Sequence, residues 1–316
     1  MENKRLYYID YLRVFACLMV ITIHISSEYM FLGNIGSRSF MLYYMLDSFS
    51  RSCIPIFLMI TGALYLGRDS LDISKVDRSC FKLIILYFVW NVIYVLRNGF
   101  SGFFGNLKGG AFHLWYLPLI AFIYALIPIL RSLNTKMLDR LMLICMICGV
   151  FIGLFNLNFG EIELLNTIVG SPLLAYIGYT IVGYRLSQKE GKAWYLVAFA
   201  MVCISYGMVG IKLSVKSNNI DMTFFDYNHV VVFVESCLLF LGIKGLFSKG
   251  NRVITSIAKN SFGIYLIHVF ILYISKSNGF FEKFNVFFSI FVVFLASYLI
   301  SFILGKIKYL NMLVKI

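Results

Sequence analysis

The chain has 316 residues, of which 60% are hydrophobic, 17% aromatic and only 14% charged. Such a composition offers too little polar surface to coat a soluble globule, so we expect an integral membrane protein. The formal net charge of +13 could indicate nucleic-acid binding. The positive residues lie between hydrophobic segments with a strong bias to one side. We therefore interpret them as residues that set the membrane topology, and we predict no nucleic-acid partner.

Ten hydrophobic segments are long enough to cross a bilayer as helices. They fall at 11–30, 41–66, 80–96, 114–130, 141–155, 170–186, 193–213, 229–247, 258–275 and 284–304. The connecting segments leave no room for a soluble domain. We therefore predict one all-α, polytopic domain over residues 1–316, and the sequence leaves homo-oligomers open.

The distribution of Lys and Arg predicts the orientation of these segments. Nineteen of these residues lie in the N-terminus, the even-numbered loops and the C-terminus, against seven in the odd-numbered loops. By the positive-inside rule, both termini are cytoplasmic. The even number of predicted spans agrees with this orientation.

The first span carries ionisable residues, which are costly inside a membrane and tend to be kept for function. Arg13 and His24 are eleven residues apart, so a helix places them on one face, about 16 Å apart along its axis. Asp10, Cys17 and Glu28 fall close to the same stripe, which should face the bundle interior. Alternatively, Asp10 only neutralises Arg13 and His24 only hydrogen-bonds to a neighbouring helix.

The second span contains Asp47 and Arg51 at a depth similar to that of His24. A structural interpretation is an i, i+4 ion pair between them. A catalytic interpretation is that Arg51 stabilises an oxyanion near His24. Pro55 has no N–H to bond to the carbonyl of Arg51, so we expect a kink and a free acceptor at this depth.

A glycine-rich stretch at 97–112 leads into the sequence HLWYLPL and could fold over the mouth of a cavity. His113, Trp115 and Tyr116 then begin the fourth span, where aromatic residues commonly anchor a helix at the interface. The same residue types also bind sugar rings, with aromatic faces against C–H groups and polar edges against hydroxyls. Both interpretations fit these three residues.

Two further polar residues lie at mid-membrane depth, Glu235 in the eighth span and His268 in the ninth. Either could be a helix-packing group, but together with His24 and Arg51 they make an unusual concentration of polar side chains. Cys145 and Cys148 form a CxxC motif without a second ligand pair, so we predict no metal.

Four segments, IDYLRVFACLMVITIH, RSCIPIFLMITGALYL, HLWYL and NSFGIYLIH, occur in this order. In order and spacing they resemble the membrane-bound acyltransferase 3 family, whose signature is an Arg, ten residues and a His in the first helix. The resemblance covers nearly the whole chain. It implies about ten helices in the bacterial cytoplasmic membrane, an acyl-CoA donor (most commonly acetyl-CoA) that enters from the cytoplasm, and an envelope glycan or glycolipid as acceptor. Many longer relatives append an extracytoplasmic hydrolase-like domain, which these 316 residues lack, so we expect direct acylation or transfer to a separate protein.

By position, Arg13 and His24 match the essential pair of the family, and Arg51 matches the arginine before its Pro-Phe segment. We expect His24 to act as the general base and Arg51 to offset oxyanion charge. The donor phosphates would meet Arg13, Arg78 and Lys82. Five residues would serve the acceptor: His113, Trp115, Tyr116, Glu235 and His268. An acyl-histidine intermediate stays an alternative.

Two other classes of protein also fit these features. A glycan or lipid-linked sugar exporter would use intramembrane charges equally well, although no inverted repeat with broken helices in matching halves is visible. A non-catalytic sensor or assembly partner is the second class. Acyl-CoA hydrolysis or transfer by the purified protein, lost on changing His24, separates an enzyme from both.

The charge bias gives a testable topology. In a cysteine-free background, the variant Gly105→Cys should react with a membrane-impermeant maleimide in intact cells, because loop three is predicted to face outward. The matched variant Lys75→Cys, in loop two, should react only after permeabilisation. The opposite pattern would contradict the predicted orientation.

Overall fold

The computed structural model of the protein describes residues 5–68, 71–98, 113–151 and 172–315. Its regular structure in these ranges is helical, in agreement with the predicted all-α class. In chain order the helices are α1 (Tyr7–Leu32), α2 (Arg38–Ser50), α3 (Cys53–Tyr65), α4 (Ile73–Asn98), α5 (Tyr116–Ser132), α6 (Thr135–Met146), α7 (Pro172–Ser187), α8 (Tyr195–Ser217), α9 (Val230–Leu246), α10 (Arg252–Lys259), α11 (Ser261–Ser277), α12 (Phe280–Lys283) and α13 (Val286–Leu304). A π-helical segment, Ile147–Phe151, continues α6, and 3-10 turns lie at Thr223–Phe225 and Leu310–Leu313.

Five of the described helical segments are long and apolar enough to cross a membrane. They are α1, the stretch Arg38–Tyr65 that includes both α2 and α3, the part of α4 up to Leu96, α8 and α13. The bent pair α10 and α11 makes a sixth when counted as one span, and α5 is a shorter apolar helix. Helices α7 and α9, at 16 and 17 residues, are short for a span, and the predicted span 141–155 is described only to residue 151. The count of ten spans and the cytoplasmic termini therefore stay predictions.

Several helices begin at a side chain that caps the first free backbone N–H groups. Ser37 accepts a hydrogen bond from the N–H of Phe40 at the start of α2. Asn side chains do the same at the starts of α6, α10 and α13. Because such caps satisfy otherwise unpaired donors, each contributes about 1 kcal/mol to helix stability. These polar residues fix where the apolar helices start.

Helix α1 lies at the centre of the bundle. It contacts α2 and α3 on one side and α9, α10, α11 and α13 on the others. Its buried side chains therefore come from several faces rather than from one apolar stripe. A helix surrounded in this way is held rigidly, and it places its polar residues inside the protein.

Two breaks in the helices occur next to the predicted site residues. Helix α2 ends at Ser50 and α3 begins at Cys53, so Arg51 stands at the interruption that Pro55 predicts. The predicted ninth span, 258–275, is not a single straight helix, because α10 and α11 meet at Asn260 with a bend of 68°. The side-chain N–H of Asn260 donates to the carbonyl of Ser256 at 2.8 Å, and its own carbonyl accepts from Ser301. The bend turns α10 across the end of α1.

Helices α3 and α7 pack with their backbones in close contact at two glycines. A Cβ atom on Gly62 would lie 1.7 Å from the carbonyl oxygen of Thr180, and one on Gly183 would lie 2.2 Å from the backbone of Met59. Small residues let helix backbones approach in this way inside a membrane. This contact holds α3, and with it the interruption at Arg51, against the rest of the bundle.

A larger residue at this contact should destabilise the protein. We expect Gly62→Ala to lower the free energy of unfolding by about 1–3 kcal/mol, the usual cost of overpacking. Gly67→Ala is the matched control, because a Cβ there would be 3.2 Å from its nearest neighbour. Equal thermal unfolding temperatures for the two variants in detergent would contradict the importance of this contact.

Candidate functional site

The polar stripe of α1 faces α10 and α11, as the predicted interior orientation requires. The contacts along it are Asp10 with Thr255 (2.9 Å), Cys17 with the carbonyl of Ser261 (3.4 Å), His24 with His268 (5.4 Å between ring centroids) and Glu28 with Lys276 (2.6 Å). Helix α1 thus runs beside α10 and α11 over the whole length of the stripe. Arg13 and His24 lie on one continuous helix, at different depths.

The suggested pairing of Asp10 with Arg13 is wrong. Asp10 instead forms a salt bridge with Arg5, at 2.7 Å, and accepts a second hydrogen bond from Thr255. The bend between α10 and α11 brings Thr255 to this carboxylate, and no helical periodicity predicts that contact. The guanidinium of Arg13 is directed to a cavity instead.

Three histidines come together at the other end of the stripe. The ring of His268 lies nearly parallel to that of His24, at 20°, and edge-on to that of His113, with centroids 5.2 Å apart. His268 is fully buried, and its Nδ1 lies 2.6 Å from the carbonyl oxygen of Tyr265. Since a carbonyl only accepts, Nδ1 carries the proton and Nε2 is the unprotonated nitrogen. The Tyr265 hydroxyl donates to the carbonyl of His113, so the same helix also positions that residue.

His24 and His113 line one small cavity of about 30 Å³. Its walls also include Cys53, Trp115, Tyr227 and Tyr265, with Val20, Ile23 and Ile54. A volume of this size holds about one water molecule. Of these residues Trp115 is the most open, at 40% exposure, and its indole lies at 33° to the ring of Tyr227. The histidine pair is therefore enclosed, with an aromatic surface at its edge.

Tyr227 lies in the segment between the 3-10 turn and α9. Its hydroxyl is 3.9 Å from the thiol of Cys53, and its carbonyl accepts a hydrogen bond of 2.7 Å from Tyr179. Burial raises the pKa of Tyr227 well above its ordinary value. Tyr227 is consequently a neutral phenol that can donate or accept a hydrogen bond at this cavity.

A second, much larger cavity of about 820 Å³ opens at the Arg13 end of the stripe. It is within the range of small-molecule binding sites. Five cationic side chains line it: Arg13, Arg252, Lys259, Lys306 and Lys315. None of its described lining residues is acidic. Such a cavity favours an anionic ligand, and arginine forks bind phosphate groups well.

The two cavities meet at Tyr265, which lines both of them. Tyr116 lines the larger cavity, and its ring is 5.6 Å from that of Tyr265. The structure therefore divides the predicted HLWY group: His113 and Trp115 lie at the histidine cavity, while Tyr116 lies at the cationic one. Arg13 lines the cationic cavity and His24 lines the histidine cavity, and Tyr265 is common to both.

Arg51 forms a buried ion pair with Asp47, with Nε 2.5 Å from Oδ1. Asp47 also accepts a hydrogen bond of 2.9 Å from Ser27, and the guanidinium lies 4.3 Å from the ring centroid of Phe225. Arg51 lines neither of the two cavities. The Asp47–Arg51 ion pair of the structural interpretation is present. It is compatible with an electrostatic effect of Arg51 on the His24 cavity.

Three of the other predicted site residues lie apart from these cavities. Arg78 and Lys82 are on α4 beside Ser79, which lines the large cavity, but neither of them lines it. Arg78 donates to the carbonyl of Ser74 on its own helix. Glu235 is buried on α9 and is next to Cys203 rather than to the histidines. The glycine-rich loop at 97–112 lies outside the described residues, apart from the backbone of 97 and 98.

Tyr265 and the other cations of the large cavity were not predicted from the sequence. For some of these residues, the spacing in the sequence could have predicted their position. Arg252 and Lys259 are seven residues apart and so share a face of α10, and Tyr265 precedes His268 by three residues on α11. Lys306 and Lys315 gave no signal, because only the path of the chain after α13 brings them to the cavity. Among the described residues, no group of three or more His, Cys, Asp or Glu could hold a metal ion.

The Asp47–Arg51 pair should be important for stability whatever its role in catalysis. Arg51→Gln leaves a buried carboxylate without its cation, which typically costs about 3–5 kcal/mol. The double variant Asp47→Asn/Arg51→Gln should recover most of this loss, because it removes both charges. Lys75→Gln is the matched control at the exposed pair with Asp72, where we expect less than about 1 kcal/mol. Thermal unfolding in detergent measures these differences, and an Arg51→Gln variant as stable as Lys75→Gln would contradict the ion pair.

Comparison with known proteins identifies the family. The acyltransferase 3 model, described as an acyltransferase domain, matches residues 6–306. An amino-acid racemase of Enterococcus faecalis is 23% identical over 309 residues, which are 85% of this chain and 41% of the racemase. A second amino-acid racemase of that organism is 27% identical over 129 residues, 37% of this chain and 17% of that protein. The chain thus spans less than half the length of these curated relatives, and no solved structure matches it. Because the family model covers nearly all of its residues, the chain belongs to the acyltransferase 3 family.

Proposed function

We propose that this protein is an acyl-CoA-dependent O-acyltransferase. It transfers an acyl group, most commonly acetyl, to a hydroxyl of a cell-envelope glycan or glycolipid at the bacterial cytoplasmic membrane. The observation that supports this most directly is the cationic cavity at Arg13, which meets the His24 cavity at Tyr265. A donor with a phosphate-bearing end and a reactive thioester at the other end fits this arrangement.

The donor would bind with its phosphates in the cationic cavity. The phosphates of CoA are negatively charged at neutral pH, and five lining cations without a described acidic lining residue favour them electrostatically. Arg13, on helix α1, is one of the side chains that line this cavity. The pantetheine arm would then run past Tyr116 and Tyr265 toward His24. In the proposed topology the donor comes from the cytoplasm.

His24 would accept the proton of the acceptor hydroxyl as that oxygen attacks the thioester carbonyl. The C–S bond of the tetrahedral intermediate then breaks, and the proton passes to the sulfur of CoA. The products are an O-acyl ester and free CoA, so atoms and charge balance. An acyl-histidine intermediate on His24 is the alternative to direct transfer.

The other polar groups would support this step. His268 packs on His24 and has its tautomer fixed by Tyr265, so it would hold the His24 ring in one orientation. Arg51 would lower the energy of the negatively charged intermediate through space. His113 and the half-exposed indole of Trp115 would contact the acceptor, since aromatic faces bind the C–H faces of sugar rings.

The two relatives are named as amino-acid racemases, but we do not propose that this chain is a racemase. This chain spans 41% of the length of the more extensively matched racemase. The match to the acyltransferase family extends over residues 6–306. We therefore propose acyl transfer rather than racemisation.

Substitution of His24 tests the proposal. We expect His24→Ala to lower the rate of acetyl transfer from acetyl-CoA by about 10²- to 10⁴-fold, the usual contribution of a general base. His24→Gln, closer in size, should show the same loss. CoA affinity should stay near that of the unchanged protein, because His24 is outside the cationic cavity.

His229→Ala is the matched control. This histidine caps α9, with Nδ1 accepting from the N–H of Val231, and it lines neither cavity. Its variant should transfer acetyl groups at a near-normal rate. Transfer by monodisperse His24→Gln at the rate of His229→Ala would refute the role of His24. Absence of acetyl-CoA turnover by the unchanged protein, with envelope glycan extract as acceptor, would refute the proposed reaction.

A further inference from the structure

The segment that follows α13, from Gly305 to Lys315, forms one wall of the cationic cavity. Gly305, Lys306 and Lys315 all line it. The backbone turns back on itself after α13 and continues through the 3-10 turn Leu310–Leu313. Two cations that are nine residues apart in sequence consequently face the same space.

This wall is attached to two other helices. The indole N–H of Trp90, on α4, donates to the carbonyl of Leu313 at 3.0 Å. Val314 is 1% exposed and packs against Gly263 on α11. A Cβ on Gly263 would lie only 2.9 Å from Cβ of Val314, so the glycine makes room for the segment. The lysines are thus carried on a backbone that is held in place.

Both lysines keep their charge available for an anion. The Nζ of Lys315 donates to the carbonyl of Gly305 at 2.6 Å, and the Nζ of Lys306 lies 4.3 Å from the ring centroid of Phe302. Neither forms a salt bridge with a described carboxylate. An ammonium group has three donors, so these contacts leave N–H groups for a ligand.

We propose that Lys306 and Lys315 bind phosphate groups of the donor, and that the segment after α13 is a phosphate-binding wall of the donor site. The identity of the donor rests on the proposed function. Arg252 and Lys259, on α10, line the same cavity and add to its positive charge. Lys308 is close in sequence but does not line the cavity, and its Nζ lies 5.7 Å from the ring centroid of Tyr309.

The test uses the full-length protein purified in detergent, with the double variant Lys306→Ala/Lys315→Ala and the control Lys308→Ala. Calorimetry with CoA should give a Kd at least about tenfold higher for the double variant, since hydrogen bonds to charged groups are strong. The control should bind CoA like the unchanged protein. Transfer from S-acetylpantetheine, a donor without phosphates, should proceed at the same rate in all three proteins.

The possible results distinguish a failure of this inference from a failure of the proposed function. Equal CoA affinity of the double variant and the Lys308→Ala control would overturn the role of the two lysines alone. A parallel loss of transfer from S-acetylpantetheine would also overturn it, because the substitutions would then act on the fold. No CoA binding by the unchanged protein would overturn both the donor identity and the phosphate wall.

Discussion

The packing of α1 against α10 and α11 is the constraint on which both cavities depend. Arg13 and His24 are fixed on one helix, so their separation along the axis, about 16 Å, cannot change without breaking backbone hydrogen bonds. Contacts from Asp10 to Glu28 hold this helix against the bent pair. The positions of the cationic cavity and the histidine cavity relative to each other follow from that one interface.

The two cavities differ in what they could bind. The larger one, about 820 Å³, has the volume and charge for a phosphate-bearing ligand. The smaller one, about 30 Å³, has room for a water molecule but not for a thioester and a hydroxyl together. The proposed reaction therefore requires its walls to move, and Tyr265 and Trp115 are the side chains through which it would open to donor and acceptor. An enclosed site of this kind also keeps water from competing with the acceptor hydroxyl.

Polar groups inside the bundle are paired in ways that limit their cost. Asp47 has both Arg51 and Ser27 as partners, and the Nδ1–H of His268 is satisfied by a carbonyl of its own helix. Such pairing matters because an unpaired buried charge is far more costly than a paired one. Within the described residues, the five cations of the large cavity form no salt bridge with a carboxylate. This contrast is why we propose the Arg13 end as the site of an anionic ligand.

Local rules predicted the parts of the site that lie within one helix. The shared face of Arg13 and His24 follows from helix geometry, and the interruption at Arg51 follows from Pro55. Long-range contacts were beyond such rules. The hydrogen bond from Thr255 to Asp10 depends on how α10 crosses the end of α1. The other cations of the large cavity come from α10 and from the segment after α13 rather than from Arg78 and Lys82. The bend at Asn260 is stabilised by a contact with Ser301, forty-one residues away, which no periodicity in the sequence encodes.

We propose that one donor molecule spans both cavities. A structure of the protein with a non-transferable thioether analogue of acetyl-CoA would test this. The analogue should place its phosphates among the cations at the Arg13 end, with its arm beside Tyr265 and its carbonyl carbon next to the His24 ring. Phosphates bound elsewhere, or an acyl end directed away from His24, would contradict the claim.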